Sequence, residues 1–274
     1  MAASKRTMVI LLGTGTPNAD PERSGPSVAL KVDEEVYLFD FGPGIVRRAA
    51  AAGLDMCQLD KGFLTHLHSD HTTGYPDIIF TPWVLGRRTP LEVYGPPGTR
   101  AMTDHILAAY EDDTVERVQG LEPANPTGYH VCVHTIQPGI IYTDANIEVE
   151  AFRVDHGSLD AFGFKIVTSD RTIVISGDTA PTTTLVEKAR GCDVLIHEVY
   201  SVTGLKTRPL LWQNYHTTVH TSSYELASIA SETAPGLLVL YHQLFWGVSE
   251  DQLLTEITSA YEGKVISGKD LDVF

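Results

Sequence analysis

The sequence has no apolar run approaching the roughly 20 residues that a helix needs to span a bilayer, so we expect no membrane anchor. Met8–Leu12 is shorter than the apolar core of about 7–15 residues in a secretory signal, and Gly13 interrupts it, which favours a first β-strand. Cysteine is scarce, since Cys57, Cys132 and Cys192 are the only three. Their odd number and wide spacing argue against a disulfide scaffold and predict a reducing compartment, the cytoplasm.

Basic residues are also few. The chain has 20 Lys and Arg against 35 Asp and Glu, a formal net charge of −15. Nucleic-acid binding draws much of its affinity from Lys and Arg that neutralise phosphates, so this balance opposes RNA as a partner. The 43% apolar and 20% charged residues are typical of a chain that buries a core. With 274 residues and no repeat or Ser/Gly-rich linker, we predict a single domain over 1–274.

Short strand-like runs bounded by turn residues alternate with helical stretches along the chain. The predicted strands are Thr7–Leu12, Ser27–Lys31, Val36–Phe39, Gly62–Thr65, Glu92–Tyr94, Asn146–Val154, Gly163–Thr168, Thr172–Ser176, Val194–His197 and Gly236–Tyr241. The predicted helices are Ile45–Ala52, Thr99–Tyr110, Thr182–Lys188 and Ser222–Thr233. This order favours an α/β sandwich, with sheet packed on sheet and helices outside.

Two connections between these elements are informative. Gly163–Ser176 is typical of one tight hairpin, with Ser169-Asp170-Arg171 at its turn. Val199–Val219 has little periodicity and contains Gly204 and Pro209, so we predict a long loop, either a lid over a site or an ordered surface segment.

The strongest chemical signal is the run Thr65-His66-Leu67-His68-Ser69-Asp70-His71. Four ligand-type side chains within six residues can converge on one centre if the strand Gly62–Thr65 ends there and the chain turns. Imidazole and carboxylate together suit zinc or another first-row divalent ion better than magnesium or calcium. We therefore predict a transition-metal site at this turn.

With this run, the sequence resembles the metallo-β-lactamase superfamily over nearly its whole length. The matching motifs, in the family's order, are Leu12–Pro17, Leu38–Gly42, His66–His71, His156 in Val154–Gly157, Asp178 in Ser176–Thr179 and His242 in Leu240–His242. The resemblance implies a four-layer αββα sandwich of two mixed sheets. It also implies that Asp40 braces the metal loop.

The same resemblance implies a site for two divalent ions. One ion would take His66, His68 and His156, the other would take Asp70, His71 and His242, and Asp178 would bridge them. Zinc is the first choice, although manganese and iron accept the same ligands. A water shared by two such ions is acidified towards neutrality and attacks the substrate as hydroxide.

Details of the motifs resemble the branch that contains ribonuclease Z and its arylsulfatase and phosphodiesterase relatives. His220 in His220-Thr221-Ser222 matches a helix-opening element whose histidine is implicated in protonating the leaving group. Glu198 is a candidate carboxylate that orients His220, and Asp70 completes the predicted catalytic set. His220 as a plain helix-terminal residue and Glu198 as a structural carboxylate are the alternatives. His216 is interpreted as a lid residue rather than a third metal ligand.

Two departures from ribonuclease Z bear on the substrate. Only a short hairpin separates His156 from Asp178, where many ribonucleases Z insert an RNA-binding arm, and Gln243–Gly247 replaces the usual Ser and Arg-Tyr. Together with the charge, these favour hydrolysis of a small-molecule phosphodiester or related ester, with RNA less favoured. Transfer-RNA 3′ processing, arylsulfatase or lactonase activity, and a non-catalytic metal-sensing module are the alternatives. The resemblance also implies a homodimer.

The remaining rings and histidines are assigned more loosely. An aromatic wall for an apolar group is expected from some of Trp83, Trp212, Phe245 and Trp246, the rest being core. Surface or packing positions are expected for His105, His130, His134 and His197.

Overall fold

A computed structural model describes residues 6–274 of the chain, and these residues form two compact units. The first unit comprises residues 6–13, 19–136 and 270–274, and the second comprises residues 14–18 and 137–269. Each unit contains one mixed β-sheet and its own helices. Within residues 6–274, no helix is long and apolar enough to cross a membrane.

The sheet of the first unit has six strands in the order β1 to β6. They are β1 Thr7–Gly13, β2 Ser27–Val32, β3 Glu35–Phe39, β4 Lys61–Phe63, β5 Leu91–Gly95 and β6 Val131–Thr135. The first three strands pair antiparallel, and β3 to β6 pair parallel. The carboxyl ends of parallel strands meet at the same edge of a sheet, so the chain segments that follow β3 and β4 begin next to each other at that edge.

The helices of the first unit follow or connect these strands. They are α1 Ile45–Ala51, α2 Ser69–Thr72, α3 Tyr75–Val84, α4 Thr99–Ala109 and α5 Glu111–Gln119, with a 3₁₀ turn at Met56–Gln58. α1 begins after Gly44, whose φ of 93° is a left-handed conformation that glycine adopts without strain. A core of fully buried aliphatic and aromatic residues, including Leu38, Phe41 and Ile78, fills the unit.

The sheet of the second unit has seven strands, in the spatial order β13-β12-β11-β10-β9-β8-β7. They are β7 Gly139–Thr143, β8 Ile147–Arg153, β9 Phe162–Thr168, β10 Thr172–Ile175, β11 Val194–Tyr200, β12 Leu237–Leu244 and β13 Val265–Ser267. β7 to β10 pair antiparallel and β10 to β13 pair parallel. All seven residues of β11 are buried, as expected of a central parallel strand.

The helices of the second unit are α6 Thr183–Ala189, α7 Val202–Leu205, α8 Leu210–Val219, α9 Ser223–Thr233 and α10 Glu250–Thr258. α9 and α10 are each preceded by an N-cap serine, Ser222 or Ser249, which forms a complete capping box with Glu225 or Gln252. Such caps satisfy orphan backbone N–H groups and fix where a helix begins. The cap therefore fixes the start of α9, three residues after His220.

All ten predicted strands and all four predicted helices exist, with ends displaced by at most three residues, as at β11 and β12. The hairpin at Ser169–Arg171 joins β9 to β10, as predicted. The prediction of a long irregular loop over Val199–Val219 is wrong, because β11 continues to Tyr200 and α7 and α8 occupy most of the rest. The sequence does not predict α8, because its apolar Leu210 and Leu211 are exposed while polar His216 is buried.

Candidate metal centre

Asp40 braces the turn that carries the first histidines, as the resemblance implied. It follows β3 directly, with a φ of 60°, and its neighbour strand β4 leads into Thr65. The Oδ1 atom accepts hydrogen bonds from the Thr65 backbone N–H at 2.8 Å and from Thr65 Oγ1 at 3.0 Å. The Oδ2 atom accepts from His71 Nδ1 at 2.8 Å. One buried carboxylate therefore fixes both ends of the run that begins at Thr65.

The first two histidines of that run face each other. His66 Nε2 and His68 Nδ1 are 3.1 Å apart. Two nitrogens on a tetrahedral zinc ion, each about 2.0–2.1 Å from the metal, are separated by roughly 3.4 Å. The pair is thus close to the spacing that one shared ion requires. Thr65 Oγ1 lies 3.0 Å from His66 Nδ1 and holds the other side of that ring.

Asp70 and His71 lie in the short helix α2, and both are buried. Because His71 Nδ1 donates to the Asp40 carboxylate, Nε2 is the nitrogen that carries the lone pair. The ligand atoms of Asp70 and His71 lie within 4.8 Å of each other. A carboxylate that orients a histidine in this way is a regular feature of metal sites.

In the second unit, Asp178 follows β10 and His242 lies within β12, the two strands that flank β11 in the parallel part of the sheet. Asp178 lies after β10, beyond Gly177 at a φ of 62°. His242 lies in a bulge of β12, because the register between β11 and β12 shifts after His197, and its φ is 44°. A bulge re-aims a side chain. His242 Nε2 comes within 3.4 Å of Asp178 Oδ2, with both side chains buried.

His156, after β8, is oriented from α8. Its Nδ1 donates to the Val219 carbonyl at 2.9 Å, and since a carbonyl only accepts, Nε2 is the nitrogen that carries the lone pair. The ligand atoms of His156 and Asp178 lie within 4.8 Å of each other. Val219 was not predicted to take part in the site, because a backbone carbonyl leaves no mark in the sequence.

His220 and Glu198 form a buried pair, as sequence analysis suggested. His220 Nδ1 donates to Glu198 Oε1 at 2.9 Å, and the same oxygen accepts the Thr179 backbone N–H at 2.9 Å. The ligand atoms of Asp178, His220 and His242 all lie within 4.8 Å of one another. Glu198 therefore holds the Nδ1 side of the His220 ring.

His216 lies one helical turn before His220 and is buried. Burial, with the positive charge of His220 and of Arg208, lowers the pKa of His216 to about 4, so the ring is neutral at pH 7. His197 is also buried, donates from Nδ1 to the Glu198 carbonyl and has a pKa lowered by burial, which fits its predicted packing role.

The rings considered for the aromatic wall divide between core and surface, in line with the expectation that some of them are core. Trp83 is 1% exposed and lies in the core of the first unit, where its Nε1 donates to the Asn125 carbonyl. Trp212 is 47% exposed on α8, and Trp246 is partly buried with its ring 4.6 Å from that of His216.

His134 is a surface residue, as expected, and its Nε2 lies 2.6 Å from Glu92.

The donors in each unit fit a divalent transition metal. In each unit, ligand atoms of buried imidazole and carboxylate groups lie within 4.8 Å of one another. The Nδ1 atoms of His71, His220 and His156 are held by Asp40, Glu198 and a backbone carbonyl, respectively. Such an outer set of partners fixes histidine tautomers for metal binding. Without a metal ion, the same His and Asp donors would be several polar groups held close together in buried positions.

Comparison with known proteins agrees with this chemistry. A family model described as a beta-lactamase superfamily domain matches residues 36–243. A ribonuclease Z from Mycobacterium marinum is 32% identical over 269 residues, which cover 96% of each chain. The solved structure of the short form of human tRNase Z is 25% identical, with a TM-score of 0.74, over 97% of this chain and 98% of that one.

The metallo-beta-lactamase fold protein YhfI from Bacillus subtilis aligns with a TM-score of 0.75 and 20% identity, over 98% of this chain and 99% of that chain. With the two mixed sheets, this confirms the predicted αββα fold class. The chain therefore belongs to the metallo-β-lactamase superfamily and is a metal-dependent hydrolase of the ribonuclease Z-like kind.

Proposed function

We propose that this hydrolase holds two divalent ions, with zinc the favoured metal, and cleaves phosphodiester bonds. The proposed ligands are His66, His68 and His156 for one ion and Asp70, His71 and His242 for the other, with Asp178 shared. Support comes from the facing nitrogens of His66 and His68 and from the oriented rings of His71 and His156. We also propose that residues 1–274 act as one hydrolase domain, because the matching family model spans residues of both units.

The bound ions would supply an acidified water as the nucleophile and stabilise charge on the phosphate. The chain's own residues supply the proton for the leaving group. Hydrolysis breaks the bond between phosphorus and the leaving oxygen, and that oxygen must gain a proton if it is an alkoxide. His220 Nε2 is suited to donate it, since Glu198 holds Nδ1 and stabilises the positively charged ring.

The observation that carries this proposal is the buried pair of His220 and Glu198 beside Asp178 and His242. A metal site alone would serve many reactions of this superfamily. A buried histidine that is held by a carboxylate at the same site supplies the acid that expulsion of an alkoxide requires. Phosphodiesters of nucleosides have such leaving groups.

We propose precursor transfer RNA, cleaved at its 3′ side, as the substrate. The support is the identity of 32% to a ribonuclease Z over 96% of each chain. Because almost all of both chains is matched, no arm-sized insertion separates them, so the short hairpin between β9 and β10 does not disfavour RNA. A phosphodiester within RNA is then the bond that this site cleaves.

A small-molecule phosphodiester is the second candidate. The net charge of −15 favours it, because an acidic protein repels a polyanion more strongly than a ligand with one phosphate. An arylsulfatase or lactonase activity would use the same metals but has no support from the relatives described above. The two candidates share the metal ligands and His220.

A side-by-side assay tests the proposal. The zinc- or manganese-loaded protein is incubated with a precursor transfer RNA, bis(p-nitrophenyl) phosphate, an aryl sulfate and a lactone. We expect cleavage of the RNA and of the phosphodiester, and loss of both in His68→Ala. If the phosphodiester is untouched while the sulfate or lactone turns over, the proposed bond type is wrong. Turnover of no ester at all would favour a non-catalytic module.

We further propose a homodimer in the cytoplasm. The three cysteines are free thiols, which suits a reducing compartment, and the dimer rests on the family resemblance. Sedimentation velocity of the purified protein tests the dimer, and a sedimentation coefficient of a monomer at micromolar concentration would contradict it. Fractionation of the source cells tests the compartment.

A further inference from the structure

One side of His220 is occupied by a cluster of rings, which we call the ring cluster. Its members are Trp212, Tyr215, His216 and Trp246. The ring centroids of Tyr215 and His216 lie 6.2 Å and 5.2 Å from that of His220. Trp212 lies 6.0 Å from Tyr215 and stacks on His216 at 5.8 Å. The cluster is therefore continuous with the proposed acid.

Core packing does not account for the outer members of the cluster. Trp212 is 47% exposed and Tyr215 is 41% exposed, while His216 beneath them is buried. Leu210 and Leu211, at the start of the same helix, are also largely exposed. α8 therefore exposes most of its apolar side chains, although Val219 at its end is buried. Exposed apolar side chains that lie next to one another, as Trp212 and Tyr215 do, are a common feature of binding sites.

The place of the cluster relative to His220 says which part of a substrate it meets. If His220 donates a proton to the leaving oxygen, the group attached to that oxygen lies on the His220 side. Tyr215 and Trp212 continue outward from His220 on that side. Resting on the proposed function, we infer that Trp212 and Tyr215 stack on the nucleobase of the leaving nucleotide.

The charge of the chain supports a nucleobase as the occupant. With a formal net charge of −15, the chain has few positive charges with which to bind the phosphates of a nucleic acid. Stacking of bases on aromatic side chains needs no positive charge, tolerates any base and is a major source of affinity for single-stranded RNA. The ring cluster thus supplies attraction that the surface charge does not.

Binding of a product-like nucleotide tests the inference without turnover. Adenosine 5′-monophosphate has a base and a free 3′-hydroxyl, and ribose 5-phosphate is the same molecule without the base. Isothermal titration of the zinc-loaded protein with each ligand separates stacking from contacts of the phosphate. The variants are Trp212→Ala and Tyr215→Ala. The matched control is Tyr224→Ala, an exposed tyrosine (47%) on α9 that lies outside the cluster.

We expect the nucleotide to bind wild-type protein more tightly than ribose 5-phosphate, by about fivefold or more. Trp212→Ala and Tyr215→Ala should remove most of this difference and leave the affinity for ribose 5-phosphate unchanged. Tyr224→Ala should behave like wild type. Equal affinities for the two ligands in wild type, or an equal loss in all three variants, would overturn the inference.

Two further readouts separate this inference from its foundation. Absence of phosphodiester hydrolysis by wild type refutes the proposed function, whereas hydrolysis without a base effect refutes only the stacking. If Trp212→Ala converts a dimer to a monomer in sedimentation and leaves nucleotide affinity unchanged, the rings belong to an interface between two copies of the chain, and the inference is wrong. Tyr215→Phe should keep the base preference, since the ring is retained.

Discussion

The Nδ1 atom of His220 lies 2.9 Å from Oε1 of Glu198, and both side chains are buried. The same carboxylate oxygen accepts the Thr179 backbone N–H, so rotation of the carboxylate would break two hydrogen bonds. His220 is also held by its backbone, between the end of α8 and the capped start of α9. The ring can therefore present Nε2 in one fixed direction.

The first prediction concerns His220 as the acid. His220→Ala should lower kcat by about 10²–10⁴ for a phosphodiester with an alkyl leaving group, since the alkoxide then leaves without a proton. The loss for bis(p-nitrophenyl) phosphate should be much smaller, because p-nitrophenolate is stable unprotonated. Steady-state kinetics with both substrates checks this. Equal losses for the two leaving groups would show that His220 does not donate the proton.

The second prediction concerns Glu198 as a positioning residue. Glu198→Gln keeps the shape of the side chain but removes the charge that stabilises a protonated His220. We expect kcat to fall by about tenfold for the alkyl leaving group, with KM unchanged and a smaller loss for p-nitrophenyl. A merely structural role would lower activity on both substrates alike and shift the unfolding midpoint instead.

The third prediction concerns Glu256 and acid stability. Burial raises the pKa of this carboxyl, but hydrogen bonds from Ser223, Thr203 and Ser201 outweigh it and lower the pKa below its ordinary 4.5. A carboxyl with a lowered pKa stabilises the fold at pH values above its pKa in the unfolded chain. This stabilisation is lost as the pH falls through its pKa in the folded protein. Wild type should therefore lose stability below about pH 4.5, part of it through Glu256.

Glu256→Gln tests that assignment. The free energy of unfolding of the variant at pH 7 should be about 1–3 kcal/mol lower than that of wild type, because several buried donors lose a charged acceptor. It should also lose less stability than wild type between pH 7 and pH 4. Urea unfolding at both pH values measures this, with exposed Glu262→Gln as control. An unchanged pH dependence would mean that other groups set the acid limit.

The fourth prediction concerns Arg87, which is fully buried in the first unit. Its two terminal nitrogens donate to the carbonyls of Leu59, Ile78, Ile79 and Gly128. Burial lowers the pKa of Arg87 to about 10, so it stays charged at pH 7. Arg87→Met would leave four carbonyls without this donor.

We expect Arg87→Met to lower the free energy of unfolding by about 3 kcal/mol or more, because unsatisfied buried acceptors keep their desolvation cost. Arg87→Lys should be intermediate, since one ammonium group cannot span four carbonyls. The neighbouring Arg88 is exposed, so Arg88→Met serves as the control in urea unfolding. A loss equal to that of Arg88→Met would contradict the assigned role.

Much of the donor set in the first unit was predictable from the sequence. The run from Thr65 to His71 places four donors within one turn, and the placement of Asp40 after a neighbouring strand follows from parallel pairing of β3 and β4. His156, Asp178 and His242 were found only through the order of the family's motifs. A single histidine at a strand end has no local pattern that separates a ligand from a packed side chain.

The ring cluster could not be derived from sequence, for a physical reason. Hydrophobic periodicity assumes that apolar residues face the core, but α8 buries His216 and exposes Leu211 and Trp212. The resulting sequence pattern is irregular and predicts a loop. Partners that act through the backbone, such as Val219 for His156, are equally invisible in the sequence.

Metal stoichiometry tests the central claim most directly. The purified protein, loaded with zinc and desalted, is analysed by inductively coupled plasma mass spectrometry together with Asp178→Ala and the surface control His134→Ala. We predict about two ions per chain for wild type and His134→Ala, and fewer than two for Asp178→Ala, with turnover falling in parallel. A wild-type chain that retains no stoichiometric transition metal, or one that hydrolyses its substrate fully after the metal is stripped, would contradict the account.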